Sequence, residues 1–77
     1  MLKADDIRKI ITATVVGFDS AGLADEDNFS DAGIDSLDLQ GILLALEEQH
    51  GLTVADKDIE ECQTISGILA LAQKQVA

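Results

Sequence analysis

The sequence predicts an all-α fold: a small four-helix bundle of three main helices and one short helix, with a long loop between the first two. Three observations carry this prediction. Apolar residues recur at three- and four-residue spacing along much of the chain, the period of helices with one buried face. Proline is absent, 47% of the 77 residues are apolar and only Phe18 and Phe29 are aromatic, so an aliphatic helical core is the economical filling. A chain this short buries only about 60–65% of its unfolded surface, and it needs a disulfide, a metal or a well-patterned core to hold together. Cys62 is the sole cysteine and His50 the sole histidine, which excludes a disulfide and falls short of a zinc site.

Taken in order, residues 1–77 read as one domain with helices at about 3–16, 36–50, 56–61 and 65–76. In the first, Ile7, Ile10, Ile11, Thr14, Val15 and Phe18 form one apolar stripe, Asp5 and Asp6 suit the positive end of the helix dipole, and Gly17 is the stop. Residues 17 to about 34 lose the period and are rich in Gly, Asp, Ser and Asn; Leu23, Phe29 and Ile34 are the expected anchors that tack this long loop onto the core. Leu39, Ile42, Leu43, Leu46 and His50 mark the second helix, ended by Gly51. Gly41 lies inside it at a cost of about 1 kcal/mol, which a close approach by another chain would explain. Leu52 and Val54 form an extended link. Residues 56–62 are too short for an independent helix but long enough for a packed turn or two on Ile59 and Cys62. Thr64 is a good N-cap for the last helix, whose stripe is Ile65, Ile68, Leu69 and Ala72 with Val76.

Charge narrows the function. The net charge is −10, and no Lys or Arg lies between Ile10 and Asp56, where Asp19, Asp25, Glu26, Asp27, Asp31, Asp35, Asp38, Glu47 and Glu48 fall. Binding to a phosphate backbone needs the opposite sign, so nucleic acid is not the expected partner. The acids either solubilise the surface or steer it toward basic patches on protein partners. No run of 18 apolar residues could cross a membrane, and MLKADDIRK lacks the apolar stretch of a signal peptide; a cytoplasmic location and a monomer are expected.

The chemistry concentrates in GIDSLDL, residues 33–39. Two assignments are open. Ser36 is itself the helix cap, or Asp35 is the cap, Asp38 stands at the third helical position, where its carboxylate can reach back, and the Ser36 hydroxyl points outward at an anion-friendly helix mouth. Nucleophilic catalysis is excluded by the partners: His50 lies fourteen residues along the same helix, roughly 20 Å away, and GIDSL is not a G-x-S-x-G elbow. No catalytic residue is expected. Cys62 reads as a small buried hydrophobe. An EF-hand loop fails, because a loop started at Asp25 puts Ser30 where glycine is required, and no metal site is expected.

These residues resemble a known family. FSDAGIDSLDL followed by QGILLALEEQHGL looks like an acyl carrier protein, whose pattern is an acidic residue, Leu-Gly, a variable residue and Asp-Ser-Leu opening the second helix. The resemblance spans essentially the whole chain. It implies that Ser36 receives a 4′-phosphopantetheine arm from coenzyme A through a phosphopantetheinyl transferase (holo-ACP synthase), and that acyl groups ride on the arm's thiol. It implies that Asp35, Leu37, Asp38, Leu44, Glu47 and Glu48 face the basic, partly apolar docking surfaces of acyl-transferring and acyl-modifying enzymes. From spacing alone, Leu44 is equally an ordinary boundary residue. Four positions depart from the pattern: Ala32 for leucine, Gly41 where an acid is common, His50 where an aromatic is common, and Ala55 for proline. They favour a specialised carrier in a polyketide, modified-lipid or aminoacyl and peptidyl pathway over a housekeeping fatty-acid carrier. The rival class is an acidic helical adaptor with no prosthetic group.

Overall fold

The computed structural model describes residues 2–76 and is all-helical among them, with α1 at Ala4–Thr14, α2 at Ser36–His50 and α3 at Ile65–Val76. Two 3₁₀ segments, Ser20–Gly22 and Asp56–Gln63, complete it. α1 packs on both α2 and α3, and the second 3₁₀ segment packs on α3. This is the small helical bundle that the periodicity predicts. Its core is aliphatic, with Ile7, Ile11, Ile42, Leu46, Ile65 and Ile68 all fully buried.

α1 stops two residues short of the expected end. Val15 is already extended, at φ −102° and ψ 101°, because β-branched Thr14, Val15 and Val16 lose χ1 freedom in a helix and lead directly into Gly17. At its start the Asp6 carboxylate accepts a hydrogen bond from the Lys3 amide at 3.0 Å, the acidic half of a capping box. The side chains of Thr14, Val15 and Phe18 are partly buried rather than core.

The long loop is ordered by the anchors expected of it: Leu23, Phe29 and Ile34 are 4%, 1% and 3% exposed. Arg8 supplies a polar tie that periodicity does not reveal. Its guanidinium donates to the Leu23 carbonyl at 2.9 Å and pairs with Asp25. The Asp25 carbonyl in turn accepts from the Ser66 amide at 2.9 Å, and the Phe29 amide donates to the Gln63 carbonyl at 2.8 Å. The loop is thus stitched to α1, to α3 and to the second 3₁₀ segment. Phe29→Ala is expected to cost about 3–5 kcal/mol, a large share of the roughly 5–15 kcal/mol a small domain has; the urea midpoint measures it.

The short helix differs in kind from the expected one. Asp56–Gln63 is 3₁₀ in winding, with a kink at Cys62 (φ −91°, ψ 23°), as suits a segment whose form is set by what it packs on. Thr64 caps α3 as predicted, its hydroxyl accepting from the Gly67 amide at 2.9 Å. Leu71, outside the expected stripe, is buried, whereas Leu69 and Ala72 are only partly so. α3 is flanked by two neighbours, so its buried arc is wider than one stripe. The side chain of Val76 lies outside the described ones.

Gly41 proves to face its own chain. A Cβ there would meet the Thr14 methyl at 3.0 Å, so α1 approaches α2 closely at this position. His50, expected at the edge of the core, is exposed on the last turn of α2. The helix ends one residue later at Gly51, which takes the left-handed conformation at φ 68°.

Candidate functional site

The choice left open at the start of α2 is settled by one hydrogen bond. The Asp35 carboxylate accepts from the Asp38 amide at 2.8 Å, so Asp35 is the cap. Ser36 is the first helical residue, exposed, and its hydroxyl makes no hydrogen bond among the described residues. The Asp38 carboxylate does not complete a capping box, because no return bond to the Asp35 amide forms among those residues. Gly33 sets up this entry: at φ +98° it turns the loop through a conformation that side chains rarely adopt, and Ile34 follows buried beneath it.

The amides of Ser36 and Leu37 lie in the first turn, where no carbonyl of the helix can reach them. An anion on the Ser36 hydroxyl would meet these N–H groups and the positive end of a 15-residue helix. Beside Ser36 opens a cleft of about 150 Å³. It is lined by Ile34, by Leu39, Gln40 and Leu43 of α2, and by Ile59 and Gln63 of the 3₁₀ segment. A larger groove, about 500 Å³, lies at the opposite end of α2 among Leu2, His50, Leu52 and Leu69. It contains no exposed hydroxyl or thiol, and it does not reach Ser36.

The other residues singled out in the sequence divide by exposure. Leu37 is 74% and Leu44 56% exposed, seven positions and about 10 Å apart along one side of α2. Asp35, Glu47 and Glu48 are exposed and Asp38 is half-buried. Two large apolar side chains of α2 thus stand in water beside carboxylates.

Cys62 is fully buried. Burial pushes its thiol from 9.0 up to about 11, and the carboxylates of Asp58 and Glu61 push the same way. The native thiol is therefore inert near neutrality. In the unfolded chain the thiol ionises near pH 9, so between about pH 9 and 11 the unfolded state holds fewer protons and stability falls as pH rises. The loss is at most about 1.4 kcal/mol per pH unit. Urea midpoints from pH 8 to 10.5 should fall more steeply for the wild type than for Cys62→Ala.

Residue spacing did not single out Gln40 and Gln63 as lining this cleft. Gln40 lies one turn beyond Ser36, and the spacing could have flagged it. Gln63 arrives through tertiary packing alone.

Comparison with known proteins agrees with this geometry. Residues 5–72 match the family model described as a phosphopantetheine attachment site. An acyl carrier protein of Solidesulfovibrio magneticus (strain ATCC 700980 / DSM 13731 / RS-1) is 30% identical over 76 residues, covering 97% of this chain and 96% of that protein. No solved structure matched significantly. With an exposed serine at a helix mouth and a family match across nearly its whole length, the chain belongs to the acyl carrier proteins, whose prosthetic group is 4′-phosphopantetheine.

Proposed function

We propose that the arm is attached at Ser36 and that the protein carries acyl groups between biosynthetic enzymes. The observation that carries this reading is the Asp35 cap, which leaves the Ser36 hydroxyl exposed with no structural task. The residues present fit the group. The hydroxyl oxygen can bond to the β-phosphorus of coenzyme A as the phosphoanhydride breaks and adenosine 3′,5′-bisphosphate leaves with the bonding electrons. The hydroxyl proton goes to a base of the transferase, since His50 stands at the far end of α2. Once in place, the resulting phosphodiester lies at the helix mouth, where the amides of Ser36 and Leu37 and the dipole favour its charge. The bound group supplies a terminal thiol that holds acyl cargo as a thioester; this chain supplies the anchor and the recognition surface.

The test is incubation with coenzyme A, magnesium and a broad-specificity phosphopantetheinyl transferase, read by intact-protein mass spectrometry. One phosphopantetheinyl mass is expected. No gain under conditions that modify a control carrier would overturn the proposal and favour an acidic adaptor.

Docking is assigned to Asp35, Leu37, Asp38, Leu44, Glu47 and Glu48, against basic surfaces of the transferase and of acyl-handling enzymes in fatty acid, polyketide or related synthesis. The protein works as a cytoplasmic monomer in this reading. The double variant Glu47→Lys/Glu48→Lys should slow association with the transferase about tenfold at low salt. Added salt should shrink the gap by screening, as stopped-flow binding would show.

A further inference from the structure

Resting on the docking proposed for α2, we infer that the seam between α1 and α2 at Gly41 is a socket, which receives one bulky apolar side chain of the transferase that acts on Ser36. Among the described residues, the large apolar side chains left in water are Leu37, Leu44 and Val16, and Val16 is 97% exposed. All three stand at this seam. Leu37 and Leu44 lie one turn before and one turn after Gly41 on the same side of α2. On the α1 side, the Thr14 methyl comes so near that a Cβ on Gly41 would meet it at 3.0 Å. Val16 follows Thr14 by two residues, its Cα within about 7 Å of the Thr14 Cα.

Spacing on α2 gives the shape. Leu37, Gln40, Gly41 and Leu44 stand at i, i+3, i+4 and i+7, the four positions that enclose a hole on a helix surface. Gly41 has no side chain to fill it, so the floor on that side is helix backbone. The surroundings are acidic: Glu48 lies one turn beyond Leu44 on the same side of α2, and Asp19 three residues past Val16, both exposed. No Lys or Arg falls between Ile10 and Asp56 to offset them. A second copy of the chain would bring the same acids and be repelled. The fitting occupant is a protein with one large apolar side chain ringed by Lys or Arg. The transferase must sit over Ser36, and Gly41 is five residues, about 7.5 Å, further along α2. An interface of ordinary size, about 800 Å² on each partner, covers both.

Methyl-labelled protein titrated with the transferase, without coenzyme A, tests this by nuclear magnetic resonance and reads binding apart from modification. The methyls of Val16 are expected to shift together with those of Leu37 and Leu44. Val16→Ser changes an exposed side chain and keeps the fold; it should weaken binding about tenfold, the effect of one buried valine. Gly41→Met is the deciding variant. It adds apolar surface and helix propensity yet fills the socket, so binding should fall about tenfold while the melting temperature stays near that of the wild type. Tighter binding by Gly41→Met would reveal a surface that is sticky without a socket, and would overturn the inference. Unchanged binding by Val16→Ser, or Val16 methyls that stay fixed while those of Leu37 and Leu44 shift, would overturn it as well. In those cases docking along α2 still stands, because Glu47→Lys/Glu48→Lys weakens binding. If neither that double variant nor any α2 methyl responds, docking itself falls and the socket with it. A dimer in sedimentation whose contact includes Val16 would give the surface to a second copy and overturn the assignment to the transferase.

Discussion

A Ser36→Ala protein is expected to fold as the wild type does and to take up no prosthetic group. The two halves of this result have separate causes. The helix cap is the Asp35 carboxylate on the Asp38 amide, and the Ser36 hydroxyl has no hydrogen bond among the described residues, so its loss removes no structural contact. Alanine is also the strongest helix former. Melting temperature should therefore change within the small range of surface substitutions, about 0.5 kcal/mol, while the mass gain with coenzyme A and transferase disappears entirely. Asp35→Ala is the complementary control, losing about 1 kcal/mol from the missing cap. If Ser36→Ala still gained the full mass, another residue would be the attachment point. If it melted far below the wild type, Ser36 would have a structural role.

The second large effect is expected at Gly67. Alanine in place of a helical glycine ordinarily stabilises by up to about 1 kcal/mol; here the sign reverses. A Cβ on Gly67 would lie 1.7 Å from the Glu61 carbonyl oxygen and 2.9 Å from its carbon. These are backbone atoms, at the kink beside Cys62, and they cannot rotate aside. Either α3 or the 3₁₀ segment must move by more than an ångström. Gly67→Ala should lose about 3 kcal/mol, the upper end of overpacking costs, which for a chain of this size lowers the melting temperature by roughly 10–25 °C. Because the displaced segment carries Ile59 and Gln63, resonances lining the cleft at Ser36 should shift as well. Gly41→Ala provides the contrast. Its Cβ meets a methyl of Thr14 at 3.0 Å, the tip of a side chain, and its melting temperature should stay close to that of the wild type.

Local signals in the sequence were enough for much of this protein. Periodicity places Ile7, Ile10, Ile11, Leu39, Ile42, Leu43, Leu46, Ile65 and Ile68 in the core because a helix repeats its faces over a few residues. The cap at Thr64 and the stop at Gly51 are equally local, each satisfying backbone groups within one turn; the cap of α2 is local too, but spacing left Ser36 and Asp35 as rivals until the Asp38 amide was seen bonded to Asp35. The proposal for Ser36 rests on the same kind of signal: GIDSL is contiguous, and reading it does not wait on a distant partner.

Tertiary structure decided whatever depends on residues far apart in sequence. Gly41 and Gly67 look alike as glycines inside helices, yet one faces a methyl group and the other a rigid carbonyl. Leu71 is core because α3 lies between α1 and the 3₁₀ segment, a second neighbour that one helical stripe does not announce. The cleft is the plainest case. Ser36 and Gln40 come from one helix, Ile59 and Gln63 from a segment about twenty residues on, and α3, the Phe29–Gln63 bond and the close approach at Gly67 bring the two walls together. Helical period and capping are short-range effects that one segment expresses by itself; a cavity is the gap left by packing several segments at once, and its shape exists only after they meet.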